Sequence, residues 1–430
     1  MNTPTKKESI VFSFAWLANV NANVGKKRES DLKQNAVDGI NGGLKDLKSF
    51  TGDFGSKPIW GPATLNEVGD DDEFITDNLL YAVKGPDPDD STKTVYVIAT
   101  SGTNPSSYYG WFSEDFNVST QVGFLGAKVS QGTFNGISVL NTLKDDSNQY
   151  IAAFLQDALK NEKDRSKVEV IVTGHSLGGT LCPVLALELK NTLGLLYPDV
   201  TFSAYPFAGA SPGDEDFTNF FNNAFPSENF HSWVNDKDVV PRGWIRSLLS
   251  DIPSLYTSMN GFQDCDGNTS IPENTIVEGI TQWVIGQIPA SDPYVRLGTD
   301  NHFTTKSDYP ITGDTCTKIG EAADVIFYAP SDLSVLHKYV KGIYDAMNGS
   351  PDKWNLQTVK EFLYFMAEAG IQHTRGYLDF MLEEQGYGDA KTALQKYVAN
   401  TKPDDAVNDD LKDNLKEFLY MVYSYLNPNG

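Results

Sequence analysis

Five short runs rich in β-branched or aromatic residues are set off by turn residues, at 94–100, 168–173, 200–207, 230–234 and 325–328. Such runs read as strands. Between the first two, Ile151, Phe154, Leu155, Ala158 and Leu159 recur at helical spacing, and a second helix is expected after Thr173, running to about Lys190. Strands alternating with helices predict an α/β fold with a mostly parallel central sheet covered on both faces. Residues 242–310 break this rhythm with Gly, Pro, Asn and Asp turns around one amphipathic piece at 276–288. From Trp354 onward the pattern is helical throughout. A main domain is therefore expected over 1–350, with an insertion at about 243–310 on the active edge of the sheet. A helical C-terminal extension is expected over 351–430.

The N-terminus carries Lys6 and Lys7 before an apolar run at 10–20, the outline of a secretory signal. Asn19, Asn21 and Asn23 make a poor cleavage region, so the run reads instead as a first helix packed on the core. No stretch is long and apolar enough to span a bilayer. The compartment stays open between the cytoplasm and secretion by a route the sequence does not display. Cys182 falls in an apolar helical pattern and reads as core. Cys265 and Cys316 lie in turn-rich stretches, and the sequence leaves open whether they pair.

The 430 residues are 40% hydrophobic and 21% charged, with a formal net charge of −23 from 57 acidic and 34 basic side chains. That field repels phosphate backbones and argues against nucleic acid as a partner. It does not exclude a neutral ester or lipid. Oligomeric state is not legible.

Gly174-His175-Ser176-Leu177-Gly178 fits the nucleophile-elbow pattern, and so does Gly209-Ala210-Ser211-Pro212-Gly213. The elbow needs a strand before it and a helix after it. The apolar run 168–172 and the helical run 181–189 supply both for Ser176, and Gly174 and Gly178 permit the sharp turn. The residue after the serine must also donate a backbone N–H to an oxyanion. Leu177 can do so; Pro212 has no N–H. Ser211 is therefore a turn serine.

A serine nucleophile needs a histidine base held by a carboxylate, in the chain order Ser, acid, His. Asp236 and Asp238 leave the strand at 230–234 and are both candidates. Asp238 leads into apolar Val239-Val240, whereas Asp236 neighbours Lys237. Three histidines follow them. His337 is preferred as the base, because it follows the expected strand at 325–328 and the loop Pro330-Ser331-Asp332. His302, in a polar turn, is the alternative. His373, in the helical extension, reads as a surface histidine. Thr103, after the strand at 94–100, is a candidate second oxyanion donor. Neither a metal nor a cofactor is expected.

Four segments in this order resemble the class 3 lipases, the fungal triacylglycerol lipases and their bacterial and plant relatives. They are Ser101-Gly102-Thr103 with Trp111 and Asp115; Val172-Thr173-Gly174-His175-Ser176-Leu177-Gly178-Gly179; Pro206-Phe207-Ala208-Gly209-Ala210-Ser211-Pro212; and Val234-Asn235-Asp236-Lys237-Asp238-Val239-Val240-Pro241. The resemblance implies an α/β-hydrolase fold and a triad of Ser176, Asp238 and His337. It also implies an oxyanion hole from Thr103 and the Leu177 N–H, and a supporting role for Asp115. Tyr108, Tyr109, Trp111 and Phe112 would lie in or near a lid over an acyl pocket. The expected activity is hydrolysis of apolar carboxylic esters, most simply acylglycerols, at a lipid–water interface. Phospholipase, feruloyl esterase, polyester hydrolase and a non-catalytic interaction module on the same fold are the alternatives. Ser101 stands where the family usually has Arg, and Pro183 interrupts the helix after the elbow.

Overall fold

The computed structural model describes the chain apart from residues 1, 23, 25–26, 69–73, 103–117, 292, 307, 329–333, 399–418 and 428–430. Three helices come first, α1 (Lys6–Leu17), α2 (Glu29–Asp46) and α3 (Lys48–Thr51), then strands β1 (Pro58–Val68), β2 (Phe74–Pro86) and β3 (Thr94–Thr100). A hairpin of β4 (Gln121–Phe124) and β5 (Ala127–Ser130) leads into α4 (Gln131–Thr142) and α5 (Ile151–Lys160). Alternation follows: β6 (Val168–His175), α6 (Leu177–Leu193), β7 (Thr201–Phe207), α7 (Glu215–Ala224) and β8 (Trp233–Asn235). Next come α8 (Arg246–Ser250), α9 (Thr275–Gln287), β9 (Asn301–Phe303), α10 (Asp314–Tyr328) and α11 (Ser334–Ala346). The chain then forms α12 (Leu356–His373), α13 (Arg375–Leu378) and α14 (Gly388–Tyr397).

Among the described residues, seven strands form one sheet in the order β1-β2-β3-β6-β7-β8-β9. The β1–β2 and β2–β3 pairs are antiparallel. From β3 across to β9 every pair is parallel. The strands are apolar on both faces because both faces are covered. Along β3, Val95, Val97 and Ala99 enter the core beneath α1 and α2, while Tyr96 and Ile98 enter the opposite core beneath α4, α5 and α6. This is the two-residue period of a strand, here buried twice.

Helix α1 explains its own composition. Thr5 and Glu8 form a reciprocal capping box, and the residues from Lys7 to Leu17 are all buried. A helix apolar all round must be covered all round. The sheet covers one side, with Phe12 and Phe207 ring centroids 5.0 Å apart. The other side meets residues of the C-terminal helices, including Leu378, Met381, Leu382 and Leu394. The buried Lys7 ammonium is held between Asp87 (2.7 Å) and Glu169 (2.6 Å).

That packing alters the expected domain division. The boundary at 350 does not set the last helices apart from the sheet, because α13 and α14 share one core with α1 and β3. The insertion, α10, α11 and α12 build a third core from residues such as Tyr256, Ile276, Trp283, Ile319, Val340, Phe362 and Phe365. The Cys265–Cys316 disulfide staples it across 51 residues, and Cys182 is a buried free thiol. The run 325–328, expected as a strand, is the last turn of α10. Ile319, Ala323 and Ile326 repeat there at steps of four and three, the helical period, and all three are buried. Among the described residues, no helix is long and apolar enough to cross a membrane.

Candidate active site

The turn from β6 into α6 carries Ser176. Its backbone sits at φ 64°, ψ −126°, a region that non-glycine residues rarely adopt. Such a conformation costs on the order of 1–3 kcal/mol and persists only where its surroundings over-determine it. They do so here. The Ser176 N–H donates to the Phe207 carbonyl at 3.0 Å, and its carbonyl accepts the Thr180 N–H at 3.0 Å. Glycines then let three backbone segments converge. A Cβ on Gly174 would lie 2.4 Å from the Gly178 carbonyl carbon, and one on Gly178 would lie 2.5 Å from the Thr100 carbonyl oxygen. The strain lifts the Ser176 hydroxyl toward the carboxyl ends of the strands.

What meets it is His373, the last residue of α12. The His373 Nε2 lies 2.8 Å from Ser176 Oγ, and its Nδ1 lies 2.8 Å from Asp238 Oδ2. The pairing defines a tautomer: Nδ1–H donates to the carboxylate, and Nε2 accepts the hydroxyl proton. Asp238 follows β8 and is fully buried. Its other oxygen accepts the Val240 N–H at 2.9 Å, and the neighbouring Tyr377 hydroxyl accepts the Asn235 N–H at 3.0 Å. Ser176 and His373 are themselves almost entirely buried.

The histidine that reaches Ser176 is thus not the one preferred from the sequence. His337 lies in α11, where its Nδ1 faces the Phe327 carbonyl at 2.9 Å and its ring packs on Trp354. Its premise, a strand at 325–328 delivering a loop to the sheet's active edge, fails because that run is helical. His302, the alternative, lies in β9 and pairs with Asp236 at 2.8 Å on an exposed surface. Asp236 and Asp238 therefore each hold a histidine, and only the buried pair reaches Ser176. His373 satisfied the chain order as well as the other two. The legible sign was its register: Phe362, Phe365, Ala369 and His373 continue one stripe at steps of three and four, and all are buried. A histidine on the buried stripe of a helix is not a surface histidine.

His175, beside Ser176, supports His373. Its Nε2–H donates to the His373 carbonyl at 2.9 Å. Its ring lies 4.8 Å from the His373 ring and 4.9 Å from Trp16 of α1. Burial first, and the neighbouring His373 second, hold its pKa well below the usual imidazole range, so it stays neutral. Next to it, Asn235 donates its side-chain amide to the carbonyl (3.0 Å) and Oε1 (2.8 Å) of Gln372. This fixes the final turn of α12 on the end of β8.

Leu177 opens α6, so its N–H stands at a helix N-terminus, where partial positive charge favours an oxyanion. Thr103, Tyr108, Tyr109, Trp111, Phe112 and Asp115 lie outside the described residues. Ser101, in place of the family's Arg, is locked to β2: its N–H donates to Leu79 O and its Oγ accepts the Leu79 N–H, both at 2.9 Å. Ser211, the rival elbow serine, donates its hydroxyl to the Val295 carbonyl. Among the described residues, no cluster of His, Cys, Asp and Glu is arranged to hold a metal ion.

Comparison with known proteins agrees with this architecture. The M37 lipase crystal structure superposes with a TM-score of 0.58 at 22% identity, covering 92% of this chain and 98% of that one. The fold is that of the α/β-hydrolases. The secreted mono- and diacylglycerol lipase MDL2 of Malassezia globosa is 32% identical over 131 residues, 30% of this chain. The chain spans only 38% of that relative's length. The family model "Lipase (class 3)" matches residues 97–246, which include Ser176 and Asp238 but stop well short of His373. The likeness to the class 3 lipases is thus carried by that segment, with Ser176 and Asp238 both inside it.

Proposed function

We propose that this protein hydrolyses carboxylic esters of lipids, acylglycerols foremost, through an acyl-enzyme on Ser176. The observation that carries the reading is the unbroken chain Ser176 Oγ, His373, Asp238, with both links at 2.8 Å. Asp238 fixes the tautomer that leaves Nε2 free to accept a proton, and stabilises the imidazolium that forms. As Ser176 Oγ attacks the ester carbonyl, its proton passes to His373 Nε2. The carbonyl oxygen becomes an oxyanion facing the Leu177 N–H, with Thr103 as the second donor the family resemblance implies. The C–O bond to the alcohol then breaks, and the alcohol leaves with the proton from Nε2. Water repeats the cycle: it attacks the acyl carbon, its proton goes to His373, and the acid departs as Ser176 regains its hydrogen.

The name of the Malassezia relative makes mono- and diacylglycerols the first substrates to try on this chain. The test is labelling with a fluorophosphonate, followed by peptide mass spectrometry, alongside a chain-length series of p-nitrophenyl esters and emulsified glycerides. A label on Ser176, lost in Ser176→Ala together with hydrolysis, is expected. Hydrolysis that survives Ser176→Ala overturns the assignment.

A further inference from the structure

Helix α1 ends beside the site without entering it. Its residue Asn19, just past the last turn, donates Nδ2–H to the carbonyls of Ala15 (3.2 Å) and Trp16 (3.1 Å). The same side chain accepts the Gly102 N–H on Oδ1 at 2.8 Å. Gly102 is where the chain leaves the sheet. Ser101 before it is still bonded to Leu79 of β2 through both its N–H and its Oγ. The Gly102 amide therefore has left the strand ladder, and Asn19 gives it a partner.

The segment held this way touches the nucleophile. A Cβ at Gly102 would lie 2.9 Å from the His175 carbonyl oxygen and 3.1 Å from Ser176 Cβ. One turn earlier on α1, Trp16 packs edge-on against the His175 ring. The end of α1 thus braces both the elbow at His175 and the facing backbone at Gly102, which lies against Ser176.

We propose that Asn19 is a positioning residue for ester hydrolysis, setting the approach of the Gly102 backbone to Ser176. The proposal rests on Ser176 being the nucleophile. An amide suits the task because it donates to the two α1 carbonyls and accepts from Gly102 at once, which a carboxylate cannot do. The Asn19 amide is taken up by α1 and Gly102, so its loss should act on the transition state more than on binding. Misplacement by a fraction of an ångström is enough to slow the chemistry.

The test compares Asn19→Ala with Ile40→Val, a buried change in α2 that lowers stability without touching Gly102. Urea melts, kcat and KM on p-nitrophenyl butyrate, and the rate of fluorophosphonate labelling are measured on both. Asn19→Ala is expected to lose about tenfold in kcat and in labelling rate, with KM within about threefold. Ile40→Val is expected to lose stability alone. Equal kcat in Asn19→Ala and wild type, or an equal kcat loss in Ile40→Val, overturns the proposal. Ser176→Ala separates the two readings. If it stays active, the nucleophile is wrong; if it is dead while Asn19→Ala is normal, only the role of Asn19 fails.

Discussion

Replacing His373 by alanine removes both links of the site in one step. Ser176 Oγ loses its acceptor at 2.8 Å, and Asp238 loses the N–H it accepts at the same distance. Triad members act as a unit, so kcat should fall by about 10⁶, the loss seen when such a unit is broken. At about 1.36 kcal/mol per tenfold, that is roughly 8 kcal/mol of transition-state stabilisation. The structural cost is separate and smaller. Asp238 keeps the Val240 N–H, but it is buried and loses the imidazole N–H. Removing one donor from a buried acceptor costs about 1–3 kcal/mol, and the Val240 N–H that remains keeps this case within that range. His337→Ala is the control. It loses one hydrogen bond near the end of α10, worth about 0.5–1.5 kcal/mol, and nothing at Ser176. Steady-state hydrolysis of p-nitrophenyl butyrate reads both variants against a Ser176→Ala baseline, with urea melts confirming that each is folded. A His373→Ala enzyme within tenfold of wild type, or an inactive but folded His337→Ala, would refute the assignment of the base.

Two further outcomes follow from crowding and from burial. Gly178→Ala drives a Cβ to 2.5 Å from the Thr100 carbonyl and 2.7 Å from the Ser101 carbonyl, so it should destabilise the fold by several-fold more than Gly123→Ala, whose added Cβ meets nothing within 4 Å; comparable melts for the two would contradict the packing of the elbow. Glu368 is fully buried on α12, bonded to Gln372 at 2.8 Å and near Asp308, and burial pushes its carboxyl from 4.5 up to about 8. The folded state then keeps a proton that the unfolded chain releases, so this group lowers stability as pH rises from 4.5 to about 8, by at most about 1.4 kcal/mol per unit, and adds no further change above that. Glu368→Gln should remove that slope, so the variant gains on wild type across the window in urea melts taken at pH 5, 7 and 9; parallel pH profiles would show the carboxyl to be ionised in the fold.

The proposed nucleophile was legible because an elbow is local. A strand, a glycine-flanked turn and a helix occupy adjacent residues, and the missing N–H of Pro212 sets Ser211 aside without reference to anything distant. Asp238 could be preferred over Asp236 for a similar reason, since the apolar pair Val239-Val240 carries it inward while Asp236 stays exposed. The first helix announced itself by being apolar on all sides. The proposed base was another matter. It stands 135 residues beyond Asp238 and 197 beyond Ser176. Three histidines obeyed the same order, and sequence weighs them only by what lies beside each. His337 had the more persuasive neighbours, an apparent strand and a loop, yet Ile319, Ala323 and Ile326 make that strand a helix once the insertion folds on itself. His373 had helical neighbours, and nothing local says that α12 ends above the elbow. That is decided by contacts no window contains: Asn235 on Gln372, His175 on the His373 carbonyl, and Tyr377 against the end of β8. The pairing of Cys265 with Cys316 belongs with it. Backbone turns and side-chain periods are written in neighbouring residues, whereas the distance between two remote side chains is fixed only when every layer between them has packed.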